Sequence, residues 1–302
     1  MSSVSFVIPV FNKSIFLEYI IQSLRMQEGD FAREYIFIDD GSTDDSYKKL
    51  KILTKDLKSC KILQQVNRGS ANATNVGIKL AKMKYIKFLD ADDVILSKTT
   101  ISLLNLLEKN PNVILAYGLQ RKVKSLKNVD LFEKFNYSDY SIISNTLFKA
   151  MRNSMFNPSQ FLARTDLCKK VGGCDERIKF SQEYSLTLRL SVFGKFIRLN
   201  HPIAILPFNV PGQISEKKNN QIYRVSKALE LFIEDNPQLE LKSLLYAQRR
   251  ITARAWRFAK RFKKDGYFSY WFLLYLKGVF GIRSNILGNC KEANRVYHDF
   301  LD

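Results

Sequence analysis

The sequence is poor in the residues that build zinc sites and disulfide frameworks. Its 302 residues include four cysteines, widely scattered and never spaced as C-x-x-C, and two histidines. Zinc sites need clustered Cys and His ligands, and disulfide-rich folds need many cysteines in a short chain. Neither kind of site is expected here.

Long apolar runs are also missing. The longest, Tyr267–Leu276, has ten residues and ends at Lys277, whereas a membrane-spanning helix needs about 20. The opening residues MSSVSFVIPVFNK lack the basic and apolar segments of a signal peptide, and we expect them to form a first strand. These features predict a cytoplasmic protein that does not cross a membrane.

Acidic residues are few relative to basic ones. The chain has 29 Asp and Glu against 48 Lys and Arg, a formal net charge of +19, while the hydrophobic share of 46% is ordinary for a globular protein. The basic excess favours an anionic partner: nucleic acid, a phosphorylated substrate or an anionic lipid surface. Composition alone does not choose among these three.

Short apolar runs alternate with helical patterns in the first half of the chain. This alternation predicts an α/β fold with a mostly parallel, doubly wound sheet. Ligands of such sheets lie beyond the carboxyl ends of the strands. Strands are predicted at Val4–Phe11, Tyr35–Asp40, 60–65 and 85–89, and helices at 14–26, 42–53 and 70–83.

Polar segments follow the first, second and fourth of these strands and therefore fall on one edge of the predicted sheet. They are 11–13, 39–43 and 90–93. Asp90, Asp92 and Asp93 would repel one another unless a cation or hydrogen bonds compensate their charges. A solvated turn that caps the next helix is the simpler alternative. The convergence of the acids on one edge favours a binding site.

The second half of the chain is predicted to change character near residue 220. Residues 114–120 and 157–173 are expected to supply strands and a short helix, 183–194 a helix, and 195–200 a strand; the polar segment 209–221 is expected to be a mobile loop. From Ile222 onward the pattern is helical. We predict a first domain over residues 1–220 and a basic, aromatic-rich helical region over 221–302.

The motifs VSFVIPVFN, IDDGSTDDS, NRGSANATNVGI, YIKFLDADD and VGGCDERI…SQEYSLTLRL occur in the order seen in family 2 glycosyltransferases. The chain resembles this family from about Val4 to Ser215. The resemblance implies a GT-A, Rossmann-like sheet flanked by helices, with the helical C-terminal region as an appendage. It also implies inverting transfer of a sugar from a nucleotide diphosphate sugar, here a UDP-sugar, to a glycan or lipid-linked glycan.

The resemblance implies a donor-binding role for residues of the first four motifs. Asp40 would accept hydrogen bonds from the base while Asp39 supports the turn, although a tight turn with a helix cap is the alternative for this segment. Arg68 would meet the base or a phosphate, and Gly69 would let the backbone approach closely. The full predicted donor-binding set is Pro9, Phe11, Asp39, Asp40, Asn67, Arg68, Gly69, Asn72, Asp90 and Ala91.

Asp90-Ala91-Asp92 resembles the D-x-D motif of the family. By this resemblance Asp92 binds Mn²⁺ or Mg²⁺, Asp90 contacts ribose or metal-bound water, and Asp93 assists or caps the next helix. A divalent cation would stabilise the negative charge that develops on the diphosphate leaving group. Val210 stands where the family often has a metal-reaching histidine, so the metal would depend on Asp92, phosphates and water.

Sugar transfer also needs a base that accepts the proton of the acceptor hydroxyl. The family uses an acidic pair before a helix, and Gln182-Glu183 occupies that position here. Glu183 is predicted to be the base, with a helix-capping role as the alternative and Asp175 as the fallback base. The neutral Gln182 removes the like charge that would raise the pKa of its neighbour.

Residues 242–280 combine basic and apolar faces with many aromatic side chains. Two interpretations remain open. The segment lies on an anionic membrane, which would make the protein peripheral on the inner face of the cell membrane, or it packs its apolar face on the first domain. The basic positions at helical spacing are Arg250, Arg254, Arg257 and Arg261, with Ile251, Ala255, Phe258 and Phe262 one step round.

Two other functions compete with sugar transfer. A nucleotidyltransferase would also use paired aspartates, but it needs a glycine-rich phosphate loop after the first strand, and IPVFNKS has no glycine. A nucleic-acid-binding protein would explain the net charge and predicts salt-dependent binding without a role for Asp92. The ordered motifs favour the glycosyltransferase over both, and nucleic acid is the less favoured partner.

Overall fold

A mixed sheet of nine strands organises the computed structural model, which describes residues 2–133, 136–178, 182–208 and 218–300. The predicted strand–helix alternation of the first half is present. Its elements are β1 (Ser3–Val10), α1 (Leu17–Arg25), β2 (Ala32–Asp39), α2 (Ser46–Leu53), β3 (Cys60–Gln64), α3 (Ser70–Leu80) and β4 (Tyr85–Phe88).

The middle of the chain completes the sheet. Its elements are β5 (Val94–Ile95), α4 (Thr99–Lys109), β6 (Val113–Val123), β7 (Tyr140–Ile143), α5 (Thr146–Arg152), β8 (Phe161–Arg164), α6 (Thr165–Lys170), α7 (Gln182–Leu190) and β9 (Lys195–Pro207). The strand β9 is longer than predicted because it pairs with β6, β5 and β7. The sequence patterns did not indicate β5, β7, α4 or α5.

The strand order is β3-β2-β1-β4-β8-β6-β9-β5, with β7 paired to β9. The first four strands of this order are parallel, and β8 runs antiparallel between β4 and β6. The parallel strand β1 is covered on both faces, since Phe6 packs in the core on one side of the sheet and Val7 in the core on the other. Burial on both faces explains why the sequence of such a strand is a continuous apolar run. Helices α1, α2 and α4 cover one face, and α3, α6 and α7 cover the other. The predicted α/β fold with flanking helices is confirmed.

Helices α8 (Lys218–Asp235), α9 (Leu241–Phe258), α10 (Tyr270–Val279) and α11 (Ile286–Asn294) follow the sheet. The first of these begins inside the segment predicted as a loop, 209–221, and the part of that segment at 209–217 lies outside the described residues. The C-terminal helices share a core with α5 and α7, to which α9 contributes Ile251, Ala255 and Phe258. The apolar face of α9 therefore packs within the protein.

The basic face of α9 is also partly internal. Arg254 is only 7% exposed, and its guanidinium donates to the carbonyl oxygens of Met151 and Arg152 at 3.2 and 2.9 Å. Helices end with carbonyl groups that lack partners within the helix, so Arg254 satisfies the last turn of α5. No helix in the described ranges is both long and apolar enough to span a membrane.

Candidate active site

The loops after β1, β2 and β4 meet at the carboxyl edge of the sheet, as the topology predicts. The side-chain oxygen of Asn12 accepts a hydrogen bond from the Thr43 backbone N–H at 2.8 Å, which ties the first two loops together. Lys13 reaches the fourth-strand loop, where its Nζ lies 2.5 Å from Asp92 Oδ2. Three separate loops therefore form one rim, called the catalytic edge below.

Asp39 and Asp40 are both buried at the end of β2, but their oxygens have different partners. Asp39 Oδ1 accepts from the Ser42 N–H at 3.1 Å, so it supports the turn as predicted. Asp39 Oδ2 is buried and has no hydrogen-bond partner among the described residues. A buried acceptor without a partner is costly, so a donor group that reached this covered oxygen would stabilise it.

Asp40 holds the loop that precedes α3. Its carboxylate accepts from the backbone N–H groups of Arg68 and Gly69 at 2.9 and 2.8 Å and from the Gln65 amide at 2.7 Å. Base recognition by Asp40 stays a prediction, since in this structure all these contacts are internal. Gly69 has a φ of +88°, which favours glycine. The exposed Arg68 side chain and Asn67 stand beside it at the edge.

The side chains of Asn72 and Asn75, in the third motif, form hydrogen bonds within the protein. Asn72 donates to Glu176 at 2.7 Å and accepts from the Gln65 amide at 2.9 Å. Asn75 donates to the other oxygen of Glu176 at 2.8 Å. These bonds fasten the segment after Gly173 onto α3. In the described structure Asn72 makes a scaffolding contact, and its donor-binding role stays a prediction.

The fourth motif places its carboxylates close together. The Asp90 backbone N–H donates to Ser159 Oγ at 3.0 Å, and that hydroxyl donates to Asp93 Oδ2 at 2.6 Å. Burial, followed by the charges of Asp92 and Glu183, raises the pKa of Asp90 to about 8. Burial and the charge of Asp90 also raise the pKa of Asp93 well above its ordinary value. Asp93 is therefore an internal residue of this loop, while Ala91 is buried between the two aspartates of the motif.

Two lysines at this cluster were not singled out from the sequence. Lys13 pairs with Asp92, and Lys87 is fully buried in β4, where its Nζ donates to the carbonyl oxygens of Phe88 and Ser159 at 3.0 and 2.6 Å. Burial lowers the pKa of Lys87 to about 7, with the charges of Asp93 and Asp90 opposing that shift. A lysine inside an otherwise apolar strand was the signal that could have identified it.

The carboxylates of Asp90 and Asp92 could hold a divalent cation if phosphate and water supplied its other ligands. In the described part of the chain no group of three or more His, Cys, Asp and Glu side chains is arranged to hold a metal ion. Asp92 nevertheless binds the ammonium of Lys13, while burial and the charges of Asp92 and Glu183 together raise the pKa of Asp90 despite the nearby lysines. Hard cations accept oxygen ligands from both carboxylates and phosphates. Asp92 and Asp90 therefore fit a metal whose remaining ligands are phosphate and water.

Glu183 lies in the first turn of α7 at the same edge. Burial raises the pKa of its carboxyl group to about 7, and the Ser154 hydroxyl donates to it at 3.4 Å. Its charge contributes to the raised pKa of Asp90, which places the two groups in electrostatic reach of each other. Gln182 accepts from Ser70 Oγ at 3.0 Å and joins the starts of α7 and α3. Burial thus raises the pKa of Glu183, an effect that a second carboxylate at position 182 would otherwise have produced.

Asp175, the fallback base, is occupied by arginines. Burial raises the pKa of this carboxyl group, but hydrogen bonds from Arg177 and the charge of Arg189 outweigh it, so the pKa is lowered overall. The Arg177 Nη2 lies 2.7 Å from Asp175 Oδ2 and also bonds Asp235 of α8. An ion-paired carboxylate with a low pKa is a weak base near neutral pH, so Glu183 remains the predicted base.

Pro9 and Phe11 flank the exit of β1. Pro9 pairs in register with Ile38 of β2 inside the sheet. Phe11 follows the strand and is 44% exposed, which leaves a ring face available beside the catalytic edge. Val210, predicted to replace the metal-reaching histidine, lies outside the described residues.

Comparisons with known proteins bear on the family. Glycosyl transferase family 2 is the family whose model matches residues 5–172. The chain is 33% identical over 159 residues to poly(ribitol-phosphate) beta-N-acetylglucosaminyltransferase TarP of Staphylococcus aureus (strain N315), a match to 50% of this chain and 47% of TarP. It is 29% identical over 176 residues to the GalNAc(5)-diNAcBac-PP-undecaprenol beta-1,3-glucosyltransferase of Campylobacter jejuni, covering 52% of this chain and 55% of that protein. The chain thus spans about half the length of these curated relatives.

Solved structures share the fold at low sequence identity. S. aureus TarS 1-349 in complex with UDP-GlcNAc has a TM-score of 0.67 at 15% identity, covering 99% of this chain and 92% of that one. The mannosyltransferase PcManGT from Pyrobaculum calidifontis, in complex with GDP-Man and Mn²⁺, has a TM-score of 0.54 at 15% identity, covering 99% and 76%. These likenesses establish the GT-A architecture, and the family match extends over more than half of the sequence. The chain belongs to glycosyl transferase family 2.

Proposed function

We propose that this family 2 glycosyltransferase transfers a sugar from a UDP-sugar to a hydroxyl group of a glycan, with inversion at the anomeric carbon. The observation that carries the proposal is the carboxyl group of Glu183, whose pKa is about 7, beside the aspartates of the catalytic edge. TarS is known with UDP-GlcNAc, and two relatives are named for polymeric or undecaprenol-linked substrates. These names support a UDP-sugar donor and a polymeric or lipid-linked acceptor.

The donor's nucleotide fits at the ends of β1 and β2. Asp39 Oδ2 is the buried acceptor without a partner, so it is suited to an N–H group of the base. The exposed ring of Phe11 offers a surface on which the base can pack. Arg68, whose side chain is 66% exposed, can turn toward a phosphate because, among the described residues, a long contact of 4.0 Å to Glu176 is the one ion pair of its guanidinium.

Asp90 and Asp92 would hold Mn²⁺ or Mg²⁺, and the diphosphate would bind at the same part of the catalytic edge. When bound, such an ion neutralises charge on the leaving group as the glycosidic bond breaks. Lys13 supplies a further positive charge at the same point of the edge. The buried Lys87 and the Ser159 hydroxyl hold the backbone of the aspartate loop in place.

Glu183 performs the proton transfer. Its carboxylate takes the proton of the acceptor hydroxyl while that oxygen attacks the anomeric carbon from the side opposite the diphosphate. The new carbon–oxygen bond forms as the bond to the phosphate oxygen breaks, and the bonding electrons leave with UDP. A base with a pKa near the working pH is best suited to this step.

Titration with nucleotide sugars tests this function. UDP-GlcNAc, UDP-glucose and UDP-galactose are titrated by calorimetry with and without Mn²⁺ into the wild type, Asp92→Ala and, as a matched control, Asp56→Ala. We expect Mn²⁺-dependent binding of at least one donor, which Asp92→Ala loses and Asp56→Ala keeps, since Asp56 pairs with Arg25 in an exposed ion pair. Failure of every nucleotide sugar to bind would overturn the proposal.

The second part of the proposal is that the protein binds peripherally to a membrane. We assign this contact to α10 and not to α9. Phe268, Leu273 and Phe280 keep exposed apolar surface on and beside α10, whereas the apolar face of α9 is buried. Exposed aromatic side chains near basic residues favour an anionic lipid surface. Sedimentation with phosphatidylglycerol vesicles checks this, and Phe268→Ser with Phe280→Ser is expected to reduce binding. Equal binding by this variant would contradict it.

A further inference from the structure

A second charged site lies away from the catalytic edge. A cleft of about 670 Å³ opens where the end of α3, the start of β4 and the start of α6 meet. One carboxylate, Asp166, lies among its lining residues. Its basic side chains, which define the basic cleft, are Lys61, Lys79, Lys82, Lys84, Arg164 and Lys169.

The basic cleft and the catalytic edge stand at opposite ends of the same strand. Lys84 directly precedes β4, while Asp90 follows it. At roughly 3.3 Å per residue, the chain from Lys84 to Asp90 spans about 20 Å. Arg164 confirms this placement, because it pairs in register with Tyr85, the first residue of β4. A small donor molecule bound at the catalytic edge cannot also fill the cleft.

Part of the positive charge in the cleft is already used by the fold. Lys61 lies 3.3 Å from Glu34, and Lys84 lies 3.0 Å from Glu108. Arg164 and Lys169 donate to backbone carbonyl oxygens, Lys169 to that of Ala81 at 2.7 Å. These four side chains shape the walls and still contribute charge to the cleft.

Two exposed ammonium groups and one buried hydroxyl of the cleft have no ion pair or hydrogen bond among the described residues. Lys79 and Lys82 are exposed, and neither ammonium forms an ion pair within the described ranges. Thr165 is buried, and its Oγ1 has no hydrogen-bond partner among the residues that the structure describes. Ammonium groups are compact point charges that bind phosphate oxygens, and a hydroxyl adds a neutral hydrogen bond. Together they match a phosphate group.

We propose that the basic cleft binds phosphate groups of the acceptor, at repeat units remote from the one that receives the sugar. This rests on the proposed function, since it assigns the acceptor a phosphate-bearing backbone long enough to reach around the sheet. TarP is named for such a polymer, poly(ribitol-phosphate). Holding one part of a polymer raises the effective concentration of its other units at the catalytic edge.

Charge reversal at the two unpaired lysines tests the site. The double variant Lys79→Glu with Lys82→Glu is compared with Lys51→Glu with Lys55→Glu. The control changes the net charge equally, at exposed lysines in and just after α2, on the other face of the sheet. The probe is a fluorescein-labelled ribitol-phosphate oligomer, followed by fluorescence anisotropy. We expect the first pair to weaken binding at least about tenfold, equivalent to about 1.4 kcal/mol, and the control pair to change it less than about twofold.

Further binding measurements distinguish a polymer phosphate from free phosphate and from the phosphate of a lipid headgroup. Inorganic phosphate and pyrophosphate are expected to compete with the oligomer only weakly, and binding to phosphatidylglycerol vesicles is expected to be equal in both double variants. Equal loss of oligomer binding in both pairs would overturn the site. Loss of vesicle binding with unchanged oligomer binding would assign the cleft to a membrane instead and would also overturn it.

Binding of the UDP-sugar that the wild type binds most tightly serves as the control for folding and for the proposed function. It should be unchanged in both double variants, and Lys79→Ala with Lys82→Ala should weaken oligomer binding in the same direction by a smaller factor. If the donor binds and the cleft variants bind the oligomer normally, only this inference fails. If no nucleotide sugar binds the wild type, the proposed function fails whatever the oligomer shows.

Discussion

At the scale of single residues, the acids of this protein differ in how their charge is compensated. Asp175 has two arginines, and its pKa is lowered. Asp40 has two backbone N–H groups and an amide. Glu183 is partly buried without an arginine or lysine partner in the described structure, and burial raises its pKa to about 7. A proton can therefore be exchanged near neutral pH at Glu183 and not at Asp175.

The pH dependence of transfer follows from this difference. Because the base must be deprotonated, kcat/KM should rise with pH as Glu183 loses its proton around pH 7 and should level off above that. Glu183→Gln removes the base and should lower kcat by about 10² to 10⁴. Initial rates over a pH series measure both effects, with Asp175→Asn as control. An unchanged profile in Glu183→Gln would move the base to another residue.

Lys13 should weaken metal binding in the absence of donor. Its ammonium is 2.5 Å from Asp92 Oδ2 and must leave before a cation can take that oxygen. Removing the charge in Lys13→Met should therefore tighten binding of Mn²⁺ alone, by about threefold or more for a partly exposed pair. Electron paramagnetic resonance of free Mn²⁺ measures this, and Lys13→Arg serves as the control that keeps the charge. Weaker Mn²⁺ binding in Lys13→Met would contradict the competition.

At the scale of elements, α9 shows what a helical pattern can and cannot predict. The spacing of its arginines and apolar residues correctly predicted a helix with two faces. It left the surroundings of the basic face open, and in the structure Arg254 is buried against α5 while Arg257 is exposed. A pattern marks arginine as a surface residue because isolated charge is costly to bury. It cannot show that the free carbonyls of a distant helix end supply the partners.

Arg254 should therefore contribute to stability. Arg254→Met removes its hydrogen bonds to Met151 and Arg152 and leaves those carbonyls without that donor. Hydrogen bonds to a charged group contribute about 1.5–3 kcal/mol, so the midpoint of thermal unfolding should fall clearly. Arg257→Met on the exposed side of the same helix should change it little, as surface substitutions usually do. Equal thermal unfolding midpoints for Arg254→Met and Arg257→Met would contradict a stabilising role for Arg254.

At the scale of the whole molecule, the first half was more predictable than the second. Alternating apolar runs located β1 to β4, and their topology brought Asp39, Asp92 and the loop of Lys13 to one edge. The hydrogen-bond partners of Asp40 and Asn72 could not be predicted, because Gln65 and Glu176 reach them through packing rather than spacing. The long β9, with its bulges against β6, also depends on tertiary pairing.

The boundary predicted near residue 220 gives a further test. Tyr184 and Leu188 of α7 share their core with helices α8 to α11, so a chain ending at residue 220 would expose them. We expect this truncated protein to aggregate or to unfold at a lower temperature than the full chain, because exposed apolar surface drives association. Size-exclusion chromatography and calorimetry measure both. A soluble, monomeric fragment with the full-length midpoint would support two independent domains.

Arg177 bridges Asp175 and Asp235 and thereby joins the segment before Glu183 to α8. A chimera that kept this donor-binding half and borrowed foreign C-terminal helices would retain the Arg177–Asp175 pair but lose the ion pair with Asp235, unless the borrowed helix also carried an acid at that position. The two segments are therefore expected to be inherited as a single unit.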